Sequence, residues 1–416
     1  MTIAIVNCGE LLTLRGPARP RVGRELRRLG IVRHGAVLIR QGRIEYAGRA
    51  RGLRVPRGAK VIDARSRVVM PGFVDAHTHL VFGGDRLADF ERRIAGSTYE
   101  SIAAAGGGIL STVRATRAAS ESSLLDSAER HLQWMIRGGT TALEIKSGYG
   151  LSLKDELKLL RVIRALRERS GLHIAATFLG AHAVPPAYRG RADAYLQYVI
   201  EEMFPAVAKR RLAEYVDIFC EKGAFNLAQS RRYLAAAKAH GFGLRAHVDQ
   251  LTRNGGAQLA ARLGAVTADH LEQTGLDGIR ALAAAGIQPV LLPGSVHALG
   301  KTKYPDARAM IAAGLAVVLA TDFNPGSSPI PSMPMILSLA ATQLRMTPAE
   351  AIVATTINAA HSLGRSRELG SLEVGKRADM VIHDCRDHRE LAYVIGIEPA
   401  AVVIAGGKIA YEILDA

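Results

Sequence analysis

The sequence has little of the chemistry that marks several large protein classes. It contains only three cysteines, Cys8, Cys220 and Cys385, and no CxxC pair, which excludes a disulfide scaffold and a cysteine-ligated zinc module. No segment offers the roughly 20 consecutive apolar residues that a membrane span needs. The first residues also lack a basic stretch followed by an apolar run, so no secretory signal is predicted. We therefore expect a cytoplasmic protein with no membrane partner.

Aromatic residues are also scarce, at 5% of the chain, so the core must consist mainly of Ala, Val, Leu and Ile. Hydrophobic residues make up 48% and charged residues 22% of the sequence, which is ordinary for a soluble globular enzyme and excludes disorder. A length of 416 residues leaves room for one large domain and a smaller one.

Acidic residues are outnumbered, since 54 Lys and Arg face 38 Asp and Glu, for a net charge of +16. Twelve arginines lie between residues 15 and 54, against only Glu25 and Glu45. A basic nucleic-acid-binding protein without activity is therefore one hypothesis. However, no aromatic residues are interleaved with the arginines and no nucleic-acid-binding motif is present. We favour a solvated arginine-rich surface with no nucleic-acid partner.

Short strand-like runs dominate both ends of the chain. At the N-terminal end they are 2–7, 35–40, 43–47, 60–63 and 67–70, and at the C-terminal end 379–383, 401–405 and 408–411. Gly, Pro and turn residues separate these runs, as is typical of β-rich units. We predict one small β-sandwich domain built from both termini, from residues 1–70 and 366–416.

The middle of the chain, residues 71–365, alternates strand-like runs with helical patterns such as 152–170, 228–240 and 253–263. This alternation predicts βα units and a parallel sheet. Eight units in this length fit a closed (β/α)8 barrel of the TIM type, an α/β fold. The eight predicted strands are 72–79, 140–146, 174–182, 216–221, 244–247, 265–270, 287–292 and 316–322.

Polar residues end almost every predicted barrel strand, and active sites of such barrels form at that edge. His77 and His79 lie two apart on a strand and so point to one face, while His247 and Asp322 end later strands. Three imidazoles and a carboxylate suit zinc or ferrous iron better than calcium or magnesium. His270 also ends a strand, and we predict that it assists deprotonation of the attacking water. Lys146 and Glu221 are expected beside the ligands rather than among them.

Six short segments between about residues 71 and 380 carry more information through their joint order. They are Pro71–His79, His79–Arg86, Lys146–Gly150, Phe178–Pro185, Thr321–Ser328 and Gly370–Asp379. The first and last segments resemble the amidohydrolase superfamily. The four between them resemble the imidazolonepropionases within that superfamily.

The resemblance implies a reaction, a cofactor and a set of site residues. The reaction is hydrolysis of the cyclic amide of 4-imidazolone-5-propanoate, a small anionic heterocycle, to N-formimidoyl-L-glutamate in histidine degradation. Similar enzymes are often homodimers, and a homodimer is implied here. The implied metal ligands are His77, His79, His247 and Asp322, and the implied substrate contacts are Arg86, Tyr149, His182, Gln250, Asn324, Gly326 and Ser327.

The resemblance also implies one metal ion per chain, zinc or iron, divalent or trivalent. Relatives with two ions use a carbamylated lysine that ends the fourth strand, where this chain reads Cys220–Glu221–Lys222. Gln250 stands where similar enzymes can carry a glutamate. We count it among the catalytic residues with His270 and Asp322, although a neutral amide can only donate or accept hydrogen bonds.

The ligand set does not decide which residue acts as the base and which as the acid, nor which heterocycle is the substrate. His270 and Asp322 can each take the proton from water or return it to the leaving nitrogen. Another heterocycle amidohydrolase or a nucleobase-type deaminase would need the same three histidines and aspartate. The 147–150 and 324–326 loops favour the imidazolone, and release of ammonia would indicate a deaminase instead.

Overall fold

A computed structural model describes residues 2–97, 101–102 and 105–413 of the chain. Two sheets organise these residues, one from the two ends of the chain and one from its middle. The predicted fold class is confirmed, both in the parallel barrel and in the second sheet that the termini share. The domain boundaries at 70/71 and 365/366 stay a prediction, and Met1 and residues 414–416 of the two terminal segments lie outside the described residues.

The terminal sheet joins the two ends of the chain through one strand pair. Its strands run in the order β17-β16-β15-β5-β1-β2-β3, with β4 beside β1. β5 and β15 pair antiparallel, with Val69 opposite Ile382, and a core that includes Ile5, Val37 and Ile404 covers one face. These strands are β1 (Thr2–Leu12), β2 (Ile31–Arg40), β3 (Arg43–Arg49), β4 (Lys60–Asp63), β5 (Val68–Pro71), β15 (Met380–His383), β16 (Ala400–Ala405) and β17 (Lys408–Glu412).

The first strand is longer than the sequence predicted, since β1 continues five residues beyond the predicted end at residue 7. Asn7 has a φ of 55°, and the register against β2 shifts between Ile5 and Cys8. The turn-like residues here therefore form a β-bulge rather than a strand end. Because β1 runs on, β2 begins at Ile31, earlier than predicted, to pair with Leu12.

The barrel sheet is parallel and follows chain order, from β6 through β14, with the short β10 beside β9. Each of the eight predicted runs overlaps an observed strand. The run at 244–247 is divided, because Arg245 and Ala246 separate two two-residue strands. The strands are β6 (Phe73–Asp75), β7 (Thr140–Lys146), β8 (His173–Ala181), β9 (Tyr215–Cys220), β10 (Gly243–Leu244), β11 (His247–Val248), β12 (Thr267–His270), β13 (Gln288–Leu291) and β14 (Val318–Leu319).

The barrel closes through the residues that follow β6 and β14. The Asp322 amide donates to the His77 carbonyl at 3.0 Å, and the His79 amide donates to the Phe323 carbonyl at 2.9 Å. Thr78 and Phe323 form a parallel bridge between the two segments. The backbone bonds that close the barrel therefore also bring the HxH segment and Asp322 to one rim.

Helices cover the outside of the barrel, and their ends follow from the local sequence. The helix at 153–170 begins after Ser152, whose hydroxyl accepts from the Asp155 amide, and ends at Gly171 with a φ of 65°. The helices are α1 (Leu87–Ile94), α2 (Ile109–Ala118), α3 (Glu121–Arg137), α4 (Leu153–Ser170), α5 (Ala192–Tyr198), α6 (Phe204–Lys209), α7 (Leu227–Ala239), α8 (Gly256–Leu263), α9 (Leu276–Ala285), α10 (Pro293–Ala298), α11 (Ala307–Ala312), α12 (Met333–Gln343), α13 (Pro348–Ala354), α14 (Ile357–Ser362) and α15 (Glu390–Tyr393). Short 3-10 turns lie at Gly23–Arg27, Ala50–Gly52 and Pro186–Tyr188, and a π-helical turn at Val199–Met203.

Helix α8 begins three residues later than the sequence predicted. Gly255 has a φ of 87°, and the Asn254 side chain accepts from the Gly256 amide at 3.0 Å. This side-chain bond competes with a helical start at residue 253. Among the described residues, no helix is both long and apolar enough to cross a membrane.

Candidate metal centre and active site

Three predicted ligands meet where the barrel closes. The Nε2 atoms of His77 and His79 each lie 3.5 Å from Oδ1 of Asp322. All three side chains are at most 2% exposed. His77 and His79 point the same way, as the two-residue strand period requires.

The fourth predicted ligand, His247, enters from the far side of the same rim. It begins β11, which pairs with β9 and β12. Its Nε2 lies 3.4 Å from Nε2 of His79, and its ring centroid lies 4.5 Å from that of His77. The three imidazoles and the aspartate of the predicted set therefore lie near one another at this rim, and their role as ligands stays a prediction.

Two carboxylates that the sequence analysis did not identify stand behind the ligand rings. Oδ2 of Asp269 lies 2.7 Å from Nδ1 of His77, and Oδ2 of Asp217 lies 3.1 Å from Nδ1 of His247. The Asp269 carboxylate accepts the Nδ1 proton of His77, which leaves Nε2 of that ring with a lone pair toward the centre. Asp217 faces Nδ1 of His247 at ion-pair distance but outside hydrogen-bond geometry. In the sequence, each of these two aspartates lies within a strand run that is otherwise mainly apolar. Such a position was the available signal, because a buried acid needs a partner.

The arrangement fits a bound metal ion. Nε2 of His77 is buried and has no hydrogen-bond partner among the described residues. Donor atoms of His77, His79 and His247 lie within 4.8 Å of one another, and so do those of His77, His270 and Asp322. Nitrogen and oxygen donors of this kind suit zinc or iron.

Burial tunes the ionisation of the same groups. It is the main cause that lowers the pKa of His77 and of His79 well below the usual value, and the Lys146 ammonium lowers both further. Burial also raises the pKa of Asp322 to about 6. Both imidazoles are therefore neutral, as metal binding requires.

His270 lies beside the ligands, as predicted, and is held by a carboxylate of its own. Nδ1 of His270 lies 3.3 Å from Oε1 of Glu272, so Nε2 is the nitrogen left for the centre. Burial lowers the pKa of His270, but the carboxylates of Glu272, Asp322 and Asp269 together outweigh this effect and the net shift is upward. Glu272 was not identified from the sequence, although it follows His270 by two residues.

The backbone is strained at two of these positions. His270 has a φ of 79° and Asp322 a φ of 53°, in the left-handed region that most residues avoid. Such strain persists only where the surrounding structure imposes it, and it concentrates at functional sites. Here it turns two chemically active side chains toward the ligand cluster at the ends of their strands.

Predicted substrate contacts lie on two sides of the cluster. The His182 ring stacks on His79 with centroids 5.1 Å apart. The Tyr149 ring lies 5.4 Å from His182 and 6.0 Å from His79. Gln250 is half-buried and lines a small cavity, of about 30 Å³, with Glu272 and Ser295 among others.

The remaining predicted contacts form a second group. Arg86 lies against Gly326, with Nη1 3.3 Å from the position that a β-carbon would occupy at that glycine. The guanidinium therefore faces the 324–328 loop. Asn324 holds that loop together, because its Oδ1 accepts from the amides of Gly326 at 2.8 Å and Ser327 at 2.7 Å. The Asn324 side chain thus organises the loop, which keeps the Ser327 hydroxyl 3.0 Å from its Nδ2.

A parallel barrel with three histidines and an aspartate at its closing rim defines the chain as a metal-dependent amidohydrolase. The sequence pattern of the Amidohydrolase family matches residues 68–410. The imidazolonepropionase of Solibacter usitatus is 56% identical over 98% of both chains. That of Symbiobacterium thermophilum is 47% identical over 98% of this chain and 96% of its own. The chain therefore belongs to the imidazolonepropionase family.

Solved structures share the fold at low identity. A triazine hydrolase variant has a TM-score of 0.74 at 17% identity, covering 99% of this chain and 95% of its own. The 5-methylcytosine deaminase of Klebsiella pneumoniae has a TM-score of 0.74 at 15% identity, covering 99% of each chain. A zinc-bound adenosine deaminase from Xanthomonas campestris has a TM-score of 0.69 at 20% identity, covering 100% and 94%. These likenesses support the architecture alone.

Proposed function

We propose that the chain hydrolyses 4-imidazolone-5-propanoate to N-formimidoyl-L-glutamate, a step of histidine degradation. The observation that carries the proposal is 56% identity to an imidazolonepropionase over 98% of both chains. Two overlapping donor groups at the barrel rim support it, His77 with His79 and His247, and His77 with His270 and Asp322. The enzyme opens a cyclic amide by breaking a carbon–nitrogen bond.

The centre would hold one zinc or iron ion, with His77, His79, His247 and Asp322 as its ligands. When bound, such an ion makes hydroxide available near neutral pH and polarises the amide carbonyl. Just after β9, where relatives with two ions carry a bridging lysine, this chain has Glu221, which accepts from the Leu251 amide and the Thr252 hydroxyl. Metal analysis should therefore give one ion per chain.

His270 is the base in this proposal. With Nδ1 turned to Glu272, its Nε2 accepts the proton of the water that attacks the carbonyl carbon, while Asp322 holds that water. As the carbon–nitrogen bond breaks, His270 returns the proton to the departing ring nitrogen. Water is consumed, one bond is cleaved, and the proton count balances.

The other residues bind and orient the substrate. Arg86 pairs with the propionate, since a guanidinium grips a carboxylate through two parallel hydrogen bonds. Tyr149, which lies beside His79, donates to the oxyanion that forms on the carbonyl oxygen. His182 contacts the substrate as an acceptor at Nε2, because its Nδ1 donates to the Gly148 carbonyl at 3.2 Å. The loop organised by Asn324 offers the Gly326 amide and the Ser327 hydroxyl, and Gln250 orients the ring as a neutral donor or acceptor.

The arginine-rich stretch has a simpler role in this proposal. Four of its arginines already pair with carboxylates, at distances between 2.6 and 3.2 Å. The pairs are Arg19–Glu25, Arg27–Glu350, Arg33–Glu10 and Arg40–Glu45. We expect a solvated surface without a nucleic-acid partner, and salt-dependent retention of the protein on DNA would contradict this.

Compartment and assembly complete the proposal. Cys8, Cys220 and Cys385 are buried free thiols, which suits a reducing cytosol. We expect a homodimer, which sedimentation equilibrium would test.

The test is direct. Freshly generated 4-imidazolone-5-propanoate is added to the protein, and its ultraviolet absorbance is followed with and without a chelator. We expect protein-dependent loss that the chelator abolishes, with N-formimidoyl-L-glutamate identified by mass spectrometry and no ammonia released. Release of ammonia would indicate a deaminase, and turnover that survives metal removal would contradict the proposal. His240→Ala, at an exposed position outside the site, is the matched control and should retain activity.

A further inference from the structure

A fully buried ammonium lies inside the barrel, beneath the ligand cluster. Lys146 is the last residue of β7 and is 0% exposed. Its amide donates to the Thr78 carbonyl between His77 and His79, so its strand runs directly beside the ligand segment. An isolated charge at such a depth is costly unless it is paired.

The ammonium is paired with three carboxylates at once. Nζ donates to Oε1 of Glu144 and to Oδ2 of Asp217, both at 2.8 Å, and lies 3.6 Å from Oδ2 of Asp269. All three carboxylates are 0% exposed. The cation therefore offsets repulsion among acids that water cannot screen.

Two of those carboxylates are the ones that stand behind ligand imidazoles. The oxygen of Asp217 that accepts from Lys146 lies 3.1 Å from Nδ1 of His247. The oxygen of Asp269 that faces Lys146 lies 2.7 Å from Nδ1 of His77. In both cases one carboxylate oxygen lies between the ammonium and an imidazole.

We infer that Lys146 is a positioning residue of the metal centre, whose ammonium fixes the two carboxylates that orient two of the ligand imidazoles. This inference rests on the proposed metal centre but not on the identity of the substrate. By holding both carboxylates in place, the lysine fixes the groups that face Nδ1 of His77 and of His247 on the side away from the centre.

Both carboxylate oxygens of Asp217 contact the ligand residue His247. Its second oxygen, Oδ1, accepts from the amides of Ile218 at 2.7 Å and His247 at 3.2 Å. The carboxylate thus bonds the backbone of the ligand residue with one oxygen and faces the ligand ring with the other. Without the ammonium, Oδ2 loses the donor that lies 2.8 Å from it and is no longer held in place.

The experiment measures metal affinity rather than turnover. The chain is stripped with a chelator and titrated with zinc against a chromophoric competitor, and with cobalt(II), whose visible spectrum reports ligand geometry. Lys146→Met should weaken zinc binding by about 10- to 100-fold, the usual cost of losing a group that supports a ligand, and should alter the cobalt spectrum.

Lys158→Met is the matched control. Lys158 is also a buried ammonium with three acceptors, the carbonyls of Thr116, Arg117 and Ala119, but it touches no ligand. This variant should lose stability and keep wild-type zinc affinity. Equal affinity in folded Lys146→Met and wild type would overturn the inference.

A double variant distinguishes a loss of metal binding from a failure to fold. Glu144→Gln combined with Lys146→Met removes one negative and one positive charge together, and Glu144 touches no ligand imidazole in the contacts described above. Weakened zinc binding in this folded double variant supports the inference, and wild-type binding overturns it. If neither variant folds even with zinc, Lys146 is a structural counter-ion only and the inference is also overturned. A wild-type chain that binds no zinc would instead contradict the proposed metal centre itself.

Discussion

The substitution Arg86→Lys tests how the substrate's propionate is held. Arg86 stands at the start of α1, where its Nε pairs with the carboxylate of Asp89 and its Nη1 lies 3.5 Å from the Thr112 hydroxyl. Asp89 is itself held by the Gly108 amide at 2.9 Å. These contacts fix the guanidinium plane with its Nη groups toward the loop that carries Gly326.

The magnitude follows from the hydrogen bonds that a lysine cannot make. A guanidinium can pair with Asp89 through Nε and still offer two parallel donors to the propionate of the substrate. An ammonium is a point charge, so the Asp89 carboxylate and the propionate would compete for it. Loss of one charge-assisted hydrogen bond costs about 1.5–3 kcal/mol. At about 1.4 kcal/mol per tenfold change, KM should rise by roughly 10- to 150-fold.

The turnover number should stay near the wild-type value, because the propionate does not react and contributes equally to binding of substrate and transition state. The assay follows loss of imidazolone absorbance over a range of substrate concentrations. An analogue with a carboxamide in place of the carboxylate is the control, and the substitution should barely affect its KM. An unchanged KM for the propionate, or a loss confined to kcat, would refute the assignment of Arg86.

Four further substitutions test the site and the terminal sheet. His270→Ala should keep its metal and lose most of kcat, while His247→Ala should lose the metal; near wild-type turnover of His270→Ala would remove it as the base. Asp89→Asn should raise KM with little change in kcat, since it loosens Arg86, and an effect on kcat alone would contradict that role. Burial lowers the pKa of His383 to about 3, so the unfolded chain takes up a proton as pH falls below about 6.5 and the folded chain does not. His383→Leu should therefore remove about 2 kcal/mol of acid destabilisation between pH 7 and pH 5, and an unchanged pH dependence of the unfolding free energy would contradict this.

Much of the barrel could be predicted because its strands obey a local rule. The strands are short apolar runs, and polar residues stand at or just after the ends of many of them. His77, His79, His247 and Asp322 could be predicted as neighbours for the same reason, since the predicted strands that carry them share one rim.

Other features depend on contacts between distant parts of the chain. Nothing near Asp217 or Asp269 shows which imidazole each supports, since those partners lie on other strands. The bulge at Asn7 was missed because the same residues also fit a turn, and only pairing with β2 decides between them. The start of α8 was predicted three residues too early, because the Asn254 side chain accepts from the Gly256 amide and this bond replaces the first predicted turn.

The central claim is that one cation is held by three imidazoles and one aspartate at the closing rim of the barrel. Anomalous diffraction from a crystal of the metal-loaded protein, recorded at the absorption edge of the metal, tests it most directly. We predict a single anomalous peak with donor atoms of His77, His79, His247 and Asp322 about 2.0–2.2 Å away. A peak elsewhere, or two peaks at the rim, would contradict the account.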